Sequence, residues 1–409
     1  MPRFLPSTLI TLLGVFLVAL NLRAPFTSLA PVLEQVMESL SLTASQAGFI
    51  TALPLISLAV FSSMAPKLSH RIGLEKALVV SLICIAIGIV VRSLGNVSPL
   101  YLGTVILGAG IAFGNVLLPA VVKKFFPERI SEVSSLYIFV MGVGSTLAAS
   151  LMVPLSHQAP AQFFGWQFSL AFTLIFPIAA LMFWLPSLSS QSKSKQHQSE
   201  KDATEHTPLS SLLRSPVAWF VTLALGINSF TFYAFAGWLP KILNDVGYSE
   251  LDAGYIYGFL QFSTMVPGLA LMPILARVRN HALLIGLCAS GVVFSLLGTI
   301  VAPNLAIMWV GLFGLSNCST FIIALSFIGH KTSNTQQAAA LSGMSQSIGY
   351  ALAATGPSLI GFIHTSSGNW QWPIITIALF AVACTVFSVL AAKGKRLKLN
   401  SKGKENPNT

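Results

Sequence analysis

The residues able to do chemistry here are few, and they stand where polar groups are out of place. Arg23 lies inside "ALNLRAPFTSLAP", Ala19 to Pro31, an otherwise apolar run. A guanidinium stays charged at any physiological pH and presents a planar fork of donors, a geometry that grips small oxyanions. The alternative is a structural arginine, satisfied by helix carbonyls and neighbouring amides. Thr27 and Phe26 share its helical face, whereas Asn21 lies about 200° away around an ideal helix and joins them only if the helix distorts. Pro25 removes a helix hydrogen bond and crowds the carbonyl of Asn21, so a local break is expected there. Asn115, Asn228 and Asn317 are amides in other apolar runs, joined by Phe232 near Asn228 and by Gln346 one turn before Tyr350. Such amides either line a polar cavity or hydrogen-bond one helix to another.

The elements that must position them follow from composition. Of 409 residues, 54% are hydrophobic and 9% charged, with a mean hydropathy of +0.77. That leaves too little polar surface for a water-soluble globule. Apolar runs of about 20 residues recur throughout, each long enough as a helix to cross roughly 30 Å of hydrocarbon. The expected spans are 7–30, 46–66, 77–95, 100–121, 132–155, 166–186, 216–239, 252–275, 282–301, 305–328, 336–362 and 371–391. Stretches such as "ALVVSLICIAIGIVV" are apolar on every face, which excludes the alternating strands of a membrane barrel. Counted from Leu9, Arg23 lies about 14 residues, or roughly 21 Å, into the bilayer. A charge at that depth costs at least about 2.5 kcal/mol, so it must face protein or a water-filled cavity.

The net charge of +11 is topological. With the N-terminus in the cytoplasm, 20 of the 23 Lys and Arg fall on cytoplasmic segments, leaving Lys241 and Arg92 toward the outer side. The bias toward inner loops predicts both termini inside and a multi-pass protein of the bacterial inner membrane. Nucleic acid is not an expected partner; lipid and a small molecule are. Cys84, Cys288, Cys318 and Cys384 fall on separate spans without ligand spacing, and no disulfide is implied.

The long polar stretch "SLSSQSKSKQHQSEKDATEHTPLSSLLRS" reads as a flexible cytoplasmic linker and divides the spans six and six. The expected organisation is an N-terminal six-helix bundle (1–190), the linker (191–214), a C-terminal bundle (215–392) and a basic tail (393–409). An internal duplication supports it. Asn21 matches Asn228 and Pro66 matches Pro273 at one offset, while "GIAFGN" before Val116 resembles "GLFGLSN" before Cys318, and Gly144 resembles Gly349.

Two six-helix halves around a cytoplasmic linker resemble the major facilitator superfamily. "LNLRAPFTSLAPVL", "LPAVVKKFFPER", "GWLPKIL" and "MSQSIGYALAATGP" are similar to its cyanate/2-nitroimidazole transporter branch. The resemblance implies an all-helical fold of two pseudo-symmetric bundles and a central site lined by spans 1, 4, 7 and 10. It also implies alternating-access transport of a small anion or small nitro-heterocycle across the plasma membrane. On this reading the substrate-binding candidates are Arg23, Asn21, Thr27, Asn115, Asn228, Phe232, Asn317 and Gln346. In "PKLSHRIGLEKA" Arg71 and Gly73 keep the superfamily's loop pattern between spans 2 and 3, whereas His70 replaces its acidic residue. An exporter of small neutral aromatic compounds is the alternative within the class, and a sensor or scaffold the alternative outside it.

No nucleophile with an acid or base partner marks an enzyme. No Gly-rich phosphate loop or metal-ligand cluster calls for a cofactor. All acidic residues fall in loops or at span ends, so proton coupling, if present, would have to use an edge group such as Glu34 or Asp252, or a proton carried by the substrate. A monomer is expected.

Overall fold

The computed structural model describes residues 6–160, 165–190, 212–278, 280–333 and 335–395. The linker expected at 191–214 and the basic tail therefore lie almost entirely outside the described residues. Sixteen α-helices lie among the described residues: α1 (Pro6–Thr27), α2 (Leu33–Leu40), α3 (Ala44–Phe61), α4 (Ala65–Ile72), α5 (Leu74–Arg92), α6 (Val97–Phe125), α7 (Ile130–His157), α8 (Gly165–Phe172) and α9 (Ile175–Ser190), then α10 (Pro216–Asp245), α11 (Glu250–Ser263), α12 (Val266–Arg277), α13 (His281–Val301), α14 (Ala306–Lys331), α15 (Thr335–Ser367) and α16 (Gln371–Lys393). They form twelve spans. Spans 1 to 5 are α1, α3, α5, α6 and α7; span 6 is α8 with α9; span 7 is α10; span 8 is α11 with α12; spans 9 to 12 are α13 to α16.

Ten of these are long and apolar enough to cross a membrane. Span 11 falls short because it is diluted by serine, glycine, threonine and glutamine. Spans 6 and 8 are each interrupted by two residues, at Thr173 and Leu174 and at Thr264 and Met265, leaving two short helices apiece. Local chemistry sets several ends. Thr43 and Gln46 form a reciprocal capping box at the start of span 2, and Ser249 caps span 8 by accepting from the Asp252 amide. Gly73 ends α4 at φ +91°, a conformation that needs glycine, so its place in the loop motif has a backbone reason.

Spans 1 to 6 pack on one another, as do spans 7 to 12, with spans 2 and 11 and spans 5 and 8 joining the halves. Small residues allow the close approaches. A Cβ on Gly48 of span 2 would lie 2.5 Å from the Pro357 carbonyl oxygen of span 11, and one on Gly361 would lie 2.5 Å from the Ala44 carbonyl oxygen. These contacts lie toward the face where span 1 ends. The second part of span 8 packs on span 10 rather than continuing along span 5.

Polar groups seal that same face. Lys241, at the end of span 7, donates to Glu34 of α2 at 2.5 Å and to Asp245 at 2.9 Å; Asn244 also donates to Glu34, at 2.5 Å. Trp370 donates to Asp245 at 2.6 Å, and Gln35 bridges Ser156 and Glu250, both at 3.0 Å.

Candidate functional site

Span 1 stops two residues after Pro25. A single 3-10 turn, Ala30–Val32, and α2 follow; the helix continues through Pro25, so the break expected at the proline is not found there and the helix ends at Thr27 instead. The exposed helix end is satisfied by a residue the sequence reading had left at a span's edge. Arg92, the last residue of span 3, is 1% exposed and donates to the Pro25 carbonyl at 2.9 Å, to Ser28 Oγ at 3.0 Å and to Thr173 Oγ1 at 3.5 Å. A cation at a helix C-terminus also meets the negative end of the helix dipole. Its Nε has no partner.

With span 1 held there, its face points into a cavity between the halves. Arg23, Phe26 and Thr27 of span 1 form one wall, with Thr51 and Pro54 of span 2 and Arg92; Phe232 and Tyr233 of span 7 and Tyr257 and Gln261 of span 8 face them. Phe26 meets Tyr233 edge-on across the halves, with ring centroids 5.7 Å apart, and Tyr233 meets Phe232 at 5.3 Å. Thr27 turns its hydroxyl back to the Arg23, Ala24 and Ser145 carbonyls. Arg23 is half-buried, within electrostatic reach of the Tyr233, Tyr257 and Tyr350 hydroxyls, and among the described residues no carboxylate pairs with it.

The asparagines are placed differently. Asn228 and Asn317 are buried in the C-terminal half and hydrogen-bond each other at 3.3 Å, with Asn317 also donating to Thr231. Asn21 is fully buried in the N-terminal half, where Nδ2 donates to the Leu17 carbonyl at 2.7 Å and Oδ1 has no partner. Asn115 is half-buried on span 4 and Gln346 is exposed on span 11, bonded to Ser342; neither lines this cavity. Depth along a helix is readable by counting residues, but its rotation is set by packing, and packing turns these amides away from the cavity. Arg71 is exposed on α4 and is in no ion pair with a described residue.

Conversely, Tyr257 and Gln261 were passed over because span 8 reads as generic membrane helix. The available signal was a glutamine one turn after a tyrosine inside an apolar run. Among the described residues no group of His, Cys, Asp and Glu could hold a metal ion. The arrangement offers a fixed cation, several hydroxyl groups and flat aromatic surfaces in one enclosed space, which suits recognition of a small planar molecule with oxygen acceptors.

Residues 11–354 match the Major Facilitator Superfamily. The chain belongs to that superfamily. It is 40% identical over 397 residues, covering 96% of this chain and 98% of the relative, to the 2-nitroimidazole transporter of Escherichia coli K12. It is 26% identical to the cyanate transport protein CynX of the same organism, over 92% and 96% of the two chains. In the solved structures, a bacterial homolog of the human lysosomal transporter Spinster shares the fold at a TM-score of 0.77 and 14% identity, covering 96% of this chain and 98% of that one. The D-xylose-proton symporter does so at 0.75 and 16%, covering 96% and 99%. This superfamily member is a multi-pass membrane transporter of small molecules, not an enzyme.

Proposed function

We propose that this transporter carries a small planar nitro-heterocycle across the bacterial inner membrane by alternating access, working as a monomer. The observation that carries the reading is Arg23, without a carboxylate partner among the described residues, on the same cavity wall as Phe26 and opposite Tyr233. A nitro group holds partial negative charge on two coplanar oxygens, which a guanidinium fork can engage, while the ring packs on aromatic side chains. The 40% identical relative named for 2-nitroimidazole supports this choice over an exporter of neutral aromatics. A small anion is the second reading, favoured by the same cation and by the cyanate-named relative.

The distribution of basic residues supports both termini in the cytoplasm, which makes the face sealed by Glu34 and Lys241 the outer one and the conformation inward-facing. The test of function is a thermal-shift titration of purified protein with 2-nitroimidazole, imidazole and cyanate, since a ligand that binds only the folded state raises its stability. Stabilisation by 2-nitroimidazole but not by imidazole is expected. Equal stabilisation by imidazole would overturn the role of the nitro group, and a response to cyanate alone would put the anion in its place.

A further inference from the structure

Two of the cavity-lining residues carry a buried side-chain nitrogen with no hydrogen-bond partner among the described residues. One is Arg92 Nε, whose guanidinium is otherwise occupied with the end of span 1. The other is Gln261 Nε2. Gln261 is 1% exposed and lines the cavity one helical turn after Tyr257, so the two share a face of span 8. Its Oε1 is engaged, accepting from Ser145 Oγ of span 5 at 3.0 Å, a bond that crosses between the halves. The Tyr257 hydroxyl, one turn away, interacts with the same amide, but Nε2 makes no hydrogen bond of good geometry to any described residue. Buried amides in folded proteins find partners for both ends because an unmet donor forfeits the hydrogen bonds it had in water. An amide in a cavity wall with its acceptor engaged and its donor idle is therefore arranged for an acceptor that arrives from outside the protein.

We propose that Gln261 is a substrate-binding residue, its Nε2 donating to a ring acceptor of the substrate beside the group that Arg23 holds. This deepens the reading of a planar heterocycle and rests on it. The two contacts come from opposite halves, Arg23 from span 1 and Gln261 from span 8, and they select a substrate with two neighbouring acceptors. A nitro group supplies one and the unprotonated ring nitrogen, bonded to the nitro-bearing carbon, supplies the other beside it. Cyanate carries acceptors at the two ends of a rod but has no ring face to lie against Phe26 and Tyr233. The same side chain also holds Ser145, so the substrate contact and a bond that closes the halves meet on one amide.

The test replaces the ring acceptor and the protein donor in turn. Affinities of 2-nitroimidazole and of 2-nitropyrrole, which has a C–H where the imidazole has its ring acceptor, are measured on wild type and on Gln261→Met. Wild type is expected to bind 2-nitroimidazole about tenfold more tightly, the size of effect that one neutral hydrogen bond supports. Gln261→Met is expected to bind both compounds alike, at the affinity wild type has for 2-nitropyrrole. Ser145→Ala removes the bond between the halves and leaves the amide donor, so it should keep the tenfold preference. A preference that persists in Gln261→Met overturns the proposal. So does a wild type that binds both compounds equally, a comparison that stands even if the variant fails to fold. A wild type that binds neither nitro compound but responds to cyanate refutes the substrate class itself, a result distinct from either.

Discussion

Spans 1 and 7 begin as copies of one sequence unit and end as different devices. Asn21 and Asn228 occupy matching places and are both buried inside their own half. Five residues further on, the matching positions Phe26 and Tyr233 meet ring to ring across the cavity. Between them the copies diverge. Span 1 carries Arg23 and Pro25 and stops at Thr27, whereas the corresponding places in span 7 hold Phe230 and Phe232, and the helix runs unbroken from Pro216 to Asp245. Phe230 is fully buried and packs on Phe380 with centroids 4.2 Å apart. The N-terminal copy thus supplies charge and a broken backbone, tolerated at this depth because Arg92 satisfies the helix end. The C-terminal copy supplies stiffness and aromatic surface.

The strongest way to break this comparison is to stop the two copies from approaching. Gly48 lets span 2 lie against the backbone of span 11, and a side chain there would meet a carbonyl that cannot rotate away. Gly48→Val is expected to fold, hold the Glu34–Lys241 face apart and abolish transport. Labelling of a cysteine placed at Thr51 with an impermeant maleimide should rise several-fold in this background. Normal transport with unchanged labelling would mean that the seam is not where the halves separate.

The next largest effect tests the charge on which the copies differ. Arg23→Gln removes the charge but keeps donors, and should weaken binding of a nitro-heterocycle or anion by about 1.5–3 kcal/mol, roughly 10- to 150-fold. Arg23→Lys should fall between the two, since it keeps charge and loses the planar fork. Thermal stability without ligand is the control. A loss of stability with unchanged affinity in both variants would make Arg23 a packing residue.

How far these features were readable beforehand differs with what fixes them. The spans were legible because the bilayer imposes length and hydrophobicity on every helix. Span 1 runs through Pro25 and ends at Thr27, beyond the place where a ring without an N–H acts. The interruption of span 8 at Thr264 and Met265 also has a local mark, Pro267 and Gly268 just after it, which suit the first turn of a new helix. Arg92 was placed at a helix end facing outward; its burial depends on span 6 supplying Thr173 and span 1 supplying an exposed carbonyl, neither of which is local to it. The asparagines were read as one set because their depths agree. Azimuth decides between cavity and bundle, and it comes from packing partners far along the chain.

Those asparagines give the third prediction. Asn228 has a true partner in Asn317, so Asn228→Leu leaves buried polar atoms unmet and should lower stability by about 1–3 kcal/mol. Asn21 has an unmet oxygen already, so Asn21→Leu, which is close in volume, should be near neutral or stabilising. Midpoints of thermal inactivation in detergent compare the two directly. A double variant, Asn228→Leu with Asn317→Leu, should recover part of the loss. If Asn21→Leu were the more damaging, its oxygen would have a partner that appears in another state of the cycle.

The smallest expected effect lies at the Glu34–Lys241 face, where the two copies are tied by charge. Lys241 joins Glu34 across the halves while holding Asp245 within its own helix, and both members of the crossing pair are partly exposed. Ion pairs in such surroundings contribute about 0.2–1 kcal/mol and weaken as salt rises. Lys241→Met keeps the aliphatic stem and removes the charge, so it should shift the balance toward opening of that face by no more than about fivefold. Maleimide labelling at a cysteine in place of Gly237, which lines the cavity beneath the pair, reads that balance. Raising salt should increase labelling when Lys241 is present and have little effect when it is methionine. The contrast with Arg23 is then direct: a cation matched by carboxylates holds the halves together through a bond that can be broken and remade, whereas one without a carboxylate partner is left for a ligand. Equal salt sensitivity with and without Lys241 would remove the pair from the closing mechanism and leave the glycine seam and the other bonds across the halves, Asn244–Glu34, Gln35–Glu250 and Ser145–Gln261 among them, to hold the face shut.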